Sequence, residues 1–207
     1  MTSRKEDLIN GVETTLDRLP LPVGRAVTIG ADVGRRAIWA INGTHTVGTD
    51  IIPTDSNIEN IAMIRQAYGN IFRWGVPGGG MIDEHRDEIL EQIRDGVDQS
   101  QIDGSKYVES PHKELGQETG LWLPNESFRH IRTVTEQGRG GHINTVLMYG
   151  IVVPETEGAI QEFTERAKQK IQKREVRDIR AFPVSKLPKM MVKRVRDVID
   201  DGSLVSS

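Results

Sequence analysis

The sequence contains no cysteine among its 207 residues. This absence excludes disulfide bonds, thiolate zinc sites and cysteine nucleophiles together. Aromatic residues are also scarce, at 5% of the chain, and no apolar run approaches the roughly 18 residues that a membrane span needs. Segment 1–7 is charged and lacks the apolar core of a signal peptide. We therefore expect a cytoplasmic protein that has no membrane partner.

The sequence also lacks a strong excess of charge of one sign. Its formal net charge is -3, so no overall positive field would draw the chain to nucleic acid. Segment 166–196 is an exception, because it holds twelve Lys and Arg against Glu175 and Asp178 as the only acids. A solvated basic face and a phosphate-attracting surface both fit this pattern. Hydrophobic content of 36% and charged content of 28% are typical of one globular domain.

The chain divides into an N-terminal helical extension over 1–22 and a single domain over 23–207. The apolar spacing in 3–18 predicts an amphipathic helix, which ends before the two prolines at Pro20 and Pro22. This helix would pack on the domain or on a second subunit, so a homodimer is compatible with the sequence.

Alternating and continuous apolar runs predict the remaining secondary structure. Strands are predicted at 26–29, 36–41, 61–64, 71–74, 128–135, 143–153 and 176–184. Helices are predicted at 88–96, 159–173 and 187–201. The long apolar run at 143–153 indicates a strand at the centre of a sheet.

Segment 112–121, HKELGQETGL, carries the most specific pattern. Glu114 and Glu118 are four residues apart, which on a helix places both carboxylates on one face, with Gln117 beside them. A cation such as Mg²⁺ would turn their repulsion into attraction, because carboxylate oxygens are its preferred ligands. Ser110 is the predicted N-cap of this helix and Gly120 its C-cap. A metal-presenting helix and an ordinary solvated helix end both remain open.

A glycine-rich segment precedes this helix, at Gly78, Gly79 and Gly80 after Pro77. Three successive glycines disfavour the interior of a helix or strand and allow the backbone to approach a ligand closely. A plain loop would have the same composition, so the segment is informative only together with the helix.

The two segments together resemble the halves of a Nudix box, the signature of the Nudix hydrolase superfamily. That pattern is Gly, five residues, Glu, seven residues, then Arg-Glu-hydrophobic-x-Glu-Glu-x-Gly-hydrophobic. Segment 113–121 is similar to its second half, segment 74–80 to its lead-in, and segment 175–184 to the closing strand of such domains. The resemblance implies an α/β (α+β) fold, a Nudix-like α/β/α sandwich with a mixed central sheet. The box helix would lie on one side and the C-terminal helix on the other.

The sequence departs from the family pattern in three ways. The half-boxes are further apart, which we assign to an insertion at about 82–103, and Ser105 then stands at the early Glu. Lys113 replaces the usual Arg and loses the bidentate fork that in the family orients the neighbouring carboxylates. Gln117 replaces a Glu, which removes one charge although its amide oxygen can still bind a metal. We expect a modified, working site.

The resemblance implies a role for each candidate site residue. Mg²⁺ or Mn²⁺ would be held by Glu114, Glu118 and the backbone carbonyl near Gly78, with Gln117 as an auxiliary ligand. The candidate catalytic carboxylates are Glu114, Glu118 and Glu175. The candidate substrate-binding residues are Gly78, Gly79, Gly80, Arg73, Arg139 and Arg177.

The expected function is that of a metal-dependent pyrophosphohydrolase. It would cleave the diphosphate of a nucleoside diphosphate linked to another moiety, as in ADP-ribose, NAD or a dinucleoside polyphosphate. Lys113 and Gln117 support an alternative, a catalytically weakened module that binds a nucleotide. The basic segment 166–196 supports a further alternative, an RNA 5′-end pyrophosphohydrolase, which ranks lower. The expected partner is a nucleotide-type small molecule.

Overall fold

The computed structural model describes residues 45–66, 73–137, 142–154, 160–170 and 176–204. The predicted N-terminal helix and the strands predicted at 26–29 and 36–41 lie outside these ranges. The candidate residues Glu175 and Arg139 lie outside them as well.

A six-stranded mixed sheet forms the middle layer of the described chain. Its strands are β1 (His45–Thr54), β2 (Asn60–Gln66), β3 (Trp74–Gly75), β4 (Arg129–Gln137), β5 (Ile143–Val152) and β6 (Val176–Pro183). The strand order is β3-β2-β1-β5-β4, and β6 pairs with β2. β1 and β5 are parallel over ten residue pairs, whereas the other pairings are antiparallel. β5 thus lies between β1 and β4, which confirms its predicted central place.

Within the described residues, four helices cover the two faces of the sheet. They are α1 (Asp83–Arg94), α2 (Glu109–Thr119), α3 (Ile160–Lys170) and α4 (Lys193–Asp200). Ile51 and Ile52 of β1 point to opposite faces because side chains alternate along a strand. The Ile51 face packs with Leu115 of α2, and the Ile52 face packs with Val195 of α4. The predicted α/β sandwich, with the box helix and the C-terminal helix on opposite sides, is confirmed.

Three predicted helix starts are wrong. α1 begins at Asp83 and not at 88. α2 begins at Glu109, after a 3₁₀ turn over Gly104–Tyr107, so Ser110 lies inside the helix and does not cap it. α4 begins at Lys193 because the preceding residues are held by β3. The N–H of Trp74 donates to Met190 O at 2.8 Å, and the N–H of Val192 donates to Trp74 O at 2.8 Å.

Segment 82–103, which we interpret from the sequence as an insertion, is an integral part of the fold. Its helix α1 buries Ile89 completely in the core that also contains Leu115. The hydroxyl of Tyr107 donates to Glu88 Oε1 at 3.0 Å and accepts from Gln92 Nε2 at 2.7 Å. The insertion is therefore fixed to the segment that leads into α2. Among the described residues, no helix is long and apolar enough to cross a membrane.

Candidate functional site

Helix α2 presents Glu114 and Glu118 on the face that meets the glycine segment. Leu115 anchors the helix, with no exposed surface. The helix ends at Gly120, which has φ of 74° and whose N–H donates to Gly116 O at 2.9 Å. The predicted C-cap is thus confirmed, since glycine adopts this left-handed conformation without steric cost.

The glycine segment runs beside β1 and is held by backbone hydrogen bonds. The N–H of Thr49 donates to Gly79 O at 2.9 Å, and the N–H of Ile51 donates to Pro77 O at 2.7 Å. A Cβ on Gly78 would lie 2.1 Å from Thr49 O, and a Cβ on Gly79 would lie 2.3 Å from a Glu114 carboxylate oxygen. Gly78 therefore requires glycine, because its Cβ would meet backbone atoms, whereas a side chain at Gly79 would displace the Glu114 carboxylate.

The two half-boxes meet at this segment. The N–H of Gly78 donates to Glu118 Oε2 at 2.7 Å, and the residue Glu118 is only 6% exposed. The Glu114 carboxylate lies against Gly79. A hydrogen bond to an ionised acceptor is stronger than a neutral one, so it fixes the orientation of the Glu118 carboxylate. The structure thus brings together four of the predicted site residues.

A third contact was not expected from the sequence. Ser110 lies one turn before Glu114, is 1% exposed, and accepts the Ile82 N–H through its Oγ at 3.1 Å. The same Oγ lies 3.0 Å from Nδ1 of His85, which belongs to α1. The four-residue spacing of Ser110, Glu114 and Glu118 is visible in the sequence and could have indicated this shared face.

On the other side of the glycine segment lies a pocket of about 190 Å³. Its charged and amide side chains are Asp50 of β1, Asn144 of β5, Arg194 of α4 and the exposed Arg73. Gly78 and Gly79 line it too, together with Gly48, Thr49, Gly75, Val76, Val146 and Val192. The glycine segment thus contacts the α2 carboxylates and also lines this pocket.

A buried ion pair forms one wall of the pocket. Nε of Arg194 donates to Asp50 Oδ2 at 2.7 Å, its Nη2 to Asp50 Oδ1 at 3.2 Å, and its Nη1 to Glu136 Oε2 at 2.9 Å. Burial raises the pKa of the Asp50 carboxyl, and the charge of Arg194 opposes that rise. No local pattern indicates this pair, because Asp50 and Arg194 are 144 residues apart.

The remaining candidate residues are less closely grouped. Gln117 is exposed on α2, and Gly80 is exposed where it bridges to Gly48. Arg177 is exposed on β6 and does not line the pocket. Lys113 is exposed, and its side chain makes no hydrogen bond or ion pair with the described residues.

The side chains at α2 fit a hard, partly hydrated cation. Mg²⁺ keeps several waters and is typically bound through one or two carboxylates. Glu114 and Glu118 supply such carboxylates, and Glu118 is buried and oriented by a backbone N–H. Within the described ranges, however, no group of three or more His, Asp or Glu residues is placed to hold a metal ion. Among the described residues, the donor set therefore consists of the two α2 carboxylates and the backbone carbonyls of the glycine segment.

Two solved structures share this architecture. The MutT Nudix hydrolase from Burkholderia pseudomallei has a TM-score of 0.52 at 13% identity, and the match covers 79% of this chain and 99% of that one. The Nudix domain of NrtR from Shewanella oneidensis, solved with ADP-ribose, has a TM-score of 0.50 at 18% identity, with 80% and 95% covered. No protein-family model and no curated protein matches the sequence.

The protein therefore has the Nudix fold. The resemblance carried by segments 74–80 and 113–121 is confirmed at the level of the fold.

Proposed function

We propose that this protein is a metal-dependent pyrophosphohydrolase that cleaves the diphosphate of a nucleoside diphosphate linked to another moiety. The observation that carries this proposal is the contact between the half-boxes, in which Gly78 N–H donates to Glu118 at 2.7 Å while Glu114 lies against Gly79. The hydrolase from Burkholderia pseudomallei, which has the same fold, supports the reaction class.

Each residue at the contact has a distinct task in this proposal. Glu114, Glu118 and the Gly78 carbonyl would hold Mg²⁺ or Mn²⁺, which when bound neutralises phosphate charge and acidifies water. The Gly78 N–H keeps the Glu118 carboxylate turned toward the glycine segment. Glu114, half-buried one turn away, is the candidate to accept the proton of the attacking water.

The pocket beside the glycine segment gives the substrate a second point of attachment. A substrate whose diphosphate lies at Gly78 and Gly79 can extend one end into the pocket, past Asp50 and Asn144. Arg73 at the pocket offers positive charge to a phosphate. The ADP-ribose bound to the NrtR domain supports a ligand of the nucleotide type.

A substrate panel with identified products tests the proposal. The purified chain is incubated with ADP-ribose, NAD, dinucleoside polyphosphates and nucleoside triphosphates, with Mg²⁺ or Mn²⁺, and products are identified by chromatography and mass spectrometry. Release of a nucleoside monophosphate that stops on chelation is the expected result. Absence of turnover across the whole panel would contradict the proposal.

A matched pair of variants assigns the activity to the site. Glu118→Gln keeps the shape of the side chain but removes the charge, so we expect at least a roughly 100-fold loss of kcat/KM. Glu109→Gln makes the same change at an exposed position of the same helix and should leave kcat/KM within about twofold. Equal losses in both variants would show that the assignment to Glu118 is wrong.

A second candidate function is nucleotide binding without cleavage. The exposed Gln117 and Lys113 favour it, because neither contributes to the contact with the glycine segment. Calorimetry with ADP-ribose followed by recovery of intact ligand would support this candidate, whereas a cleaved ligand would exclude it. RNA 5′-end cleavage stays a prediction, and Arg194 of the basic segment is already paired with Asp50 and Glu136.

A further inference from the structure

Three contacts join the glycine segment and its continuation to one face of α2. Gly78 meets Glu118, Gly79 meets Glu114, and the N–H of Ile82 meets Ser110. The three α2 residues are spaced at four-residue intervals, which aligns them along the helix. The segment therefore runs antiparallel to α2, and the Ser110 contact fixes the far end of this alignment.

The inserted helix secures the third contact. Oγ of Ser110 accepts the Ile82 N–H and is also bonded to His85 Nδ1, so this buried hydroxyl has two partners. The ring of His85 packs 5.3 Å from the ring of Tyr107, which is itself bonded to Glu88 and Gln92 of α1. The position of the imidazole is thus set by the insertion.

Within the described part of the chain, the side chain of Lys113 does not orient the carboxylates. Lys113 lies at the box position from which an arginine would orient the carboxylates, yet its side chain is exposed and has no hydrogen-bond or ion-pair partner within residues 73–137 or the other described ranges. Ser110 is buried on α2 and accepts the N–H of Ile82, which continues the glycine segment, and His85 of α1 contacts Ser110 in turn.

We propose that His85 and Ser110 are positioning residues for the metal site. They hold the glycine segment against α2 and thereby keep the carboxylates of Glu114 and Glu118 in the geometry that binds a divalent cation. This inference rests on the proposed function, and it gives the insertion at about 82–103 a task in the site. The positioning role of His85 depends on its Nδ1 atom, which contacts Ser110.

Substitutions at His85 separate its two ring nitrogens. The amide of asparagine reaches the place of Nδ1, whereas that of glutamine reaches the place of Nε2. We expect His85→Ala, His85→Gln and Ser110→Ala to weaken Mn²⁺ binding roughly tenfold, and His85→Asn to stay within about twofold of wild type. Electron paramagnetic resonance titration with Mn²⁺ measures this affinity without substrate.

Substrate turnover, and the non-additivity of the His85 and Ser110 substitutions, provide two further readouts. With ADP-ribose, the weakened variants should recover most of their kcat at saturating Mn²⁺, because they retain both carboxylates. The double variant His85→Ala, Ser110→Ala should bind Mn²⁺ no more weakly than either single variant, since the two residues act through one contact. His112→Asn is the control, because His112 contacts Trp122, on the other side of α2, at a centroid distance of 5.4 Å.

Several outcomes would overturn the proposal. Folded His85→Ala and Ser110→Ala proteins with unchanged Mn²⁺ affinity would do so, as would rescue by Gln in place of Asn. A wild-type protein that binds no Mn²⁺ at millimolar concentration would also overturn it. A wild-type protein that binds Mn²⁺ but cleaves no substrate would refute only the proposed function, since the metal titration still tests the positioning role.

Discussion

Two carboxylate-bearing regions lie on opposite faces of the sheet and share the glycine segment as a border. On the α4 face, Asp50 is held by the guanidinium of Arg194. On the α2 face, Glu118 accepts a hydrogen bond from the neutral N–H of Gly78. A guanidinium neutralises a carboxylate, whereas a backbone N–H orients it. The α4 ion pair therefore serves stability and the pocket wall, and the Gly78 N–H orients a carboxylate of the α2 region toward the glycine segment.

The largest expected effect on stability comes from breaking the α4 pair. Arg194→Met leaves Asp50 buried without its main partner, and loss of one member of a buried ion pair costs about 3–5 kcal/mol. Urea denaturation measures the change. The double variant Asp50→Leu, Arg194→Met removes both charges and should regain much of that loss. If Arg194→Met lowers stability no more than Glu118→Gln does, the contrast between the two regions is wrong.

A smaller effect, on metal binding, is expected at the α2 region. In Gly79→Ala the new Cβ would lie 2.3 Å from a Glu114 oxygen, so that carboxylate must move. We expect Mn²⁺ affinity to fall roughly tenfold, as for other disturbed metal-site neighbours. Gly80→Ala is the matched control, because no atom lies within 4 Å of its Cβ position. Equal Mn²⁺ affinities in the two variants would contradict this account of the α2 region.

The smallest expected effect is on the loss of folding stability at low pH, which we assign to His130, a residue outside both regions. Burial lowers the pKa of His130 from 6.5, and Nδ1 of its ring accepts the Gly104 N–H at 3.2 Å. As the pH falls through 6.5, the unfolded chain gains a proton that the folded chain resists, so stability is lost on acidification. His130→Asn should reduce the loss between pH 7 and pH 5, measured by urea denaturation. An unchanged pH dependence would assign the acid loss to other groups.

The sequence contained the information for the site where its pattern is local. The four-residue spacing of Glu114 and Glu118 sets a shared helix face, and the successive glycines allow the close approach of Gly79 to Glu114. Gly120 marks the helix end for an equally local reason, its left-handed conformation. The strands at 143–152 and 176–183 also followed from short-range composition.

The parts that could not be predicted depend on contacts between distant segments. Ser110 has the sequence context of an N-cap, but the preceding 3₁₀ turn moves the helix start and the inserted helix brings His85 to its hydroxyl. The start of α4 is delayed because Trp74 binds the backbone at Met190 and Val192. Only the folded chain reveals such pairings, since no local propensity encodes them.

The most direct test of the central claim is the ³¹P NMR spectrum of ADP-ribose incubated with the wild-type protein and Mg²⁺. The proposed function predicts that the diphosphate resonances disappear and that two phosphomonoester resonances replace them, those of AMP and ribose 5-phosphate. The same sample with Glu118→Gln should keep its diphosphate resonances. Unchanged diphosphate resonances with the wild-type protein, in Mg²⁺ and in Mn²⁺, would contradict cleavage of this substrate and favour a binding module.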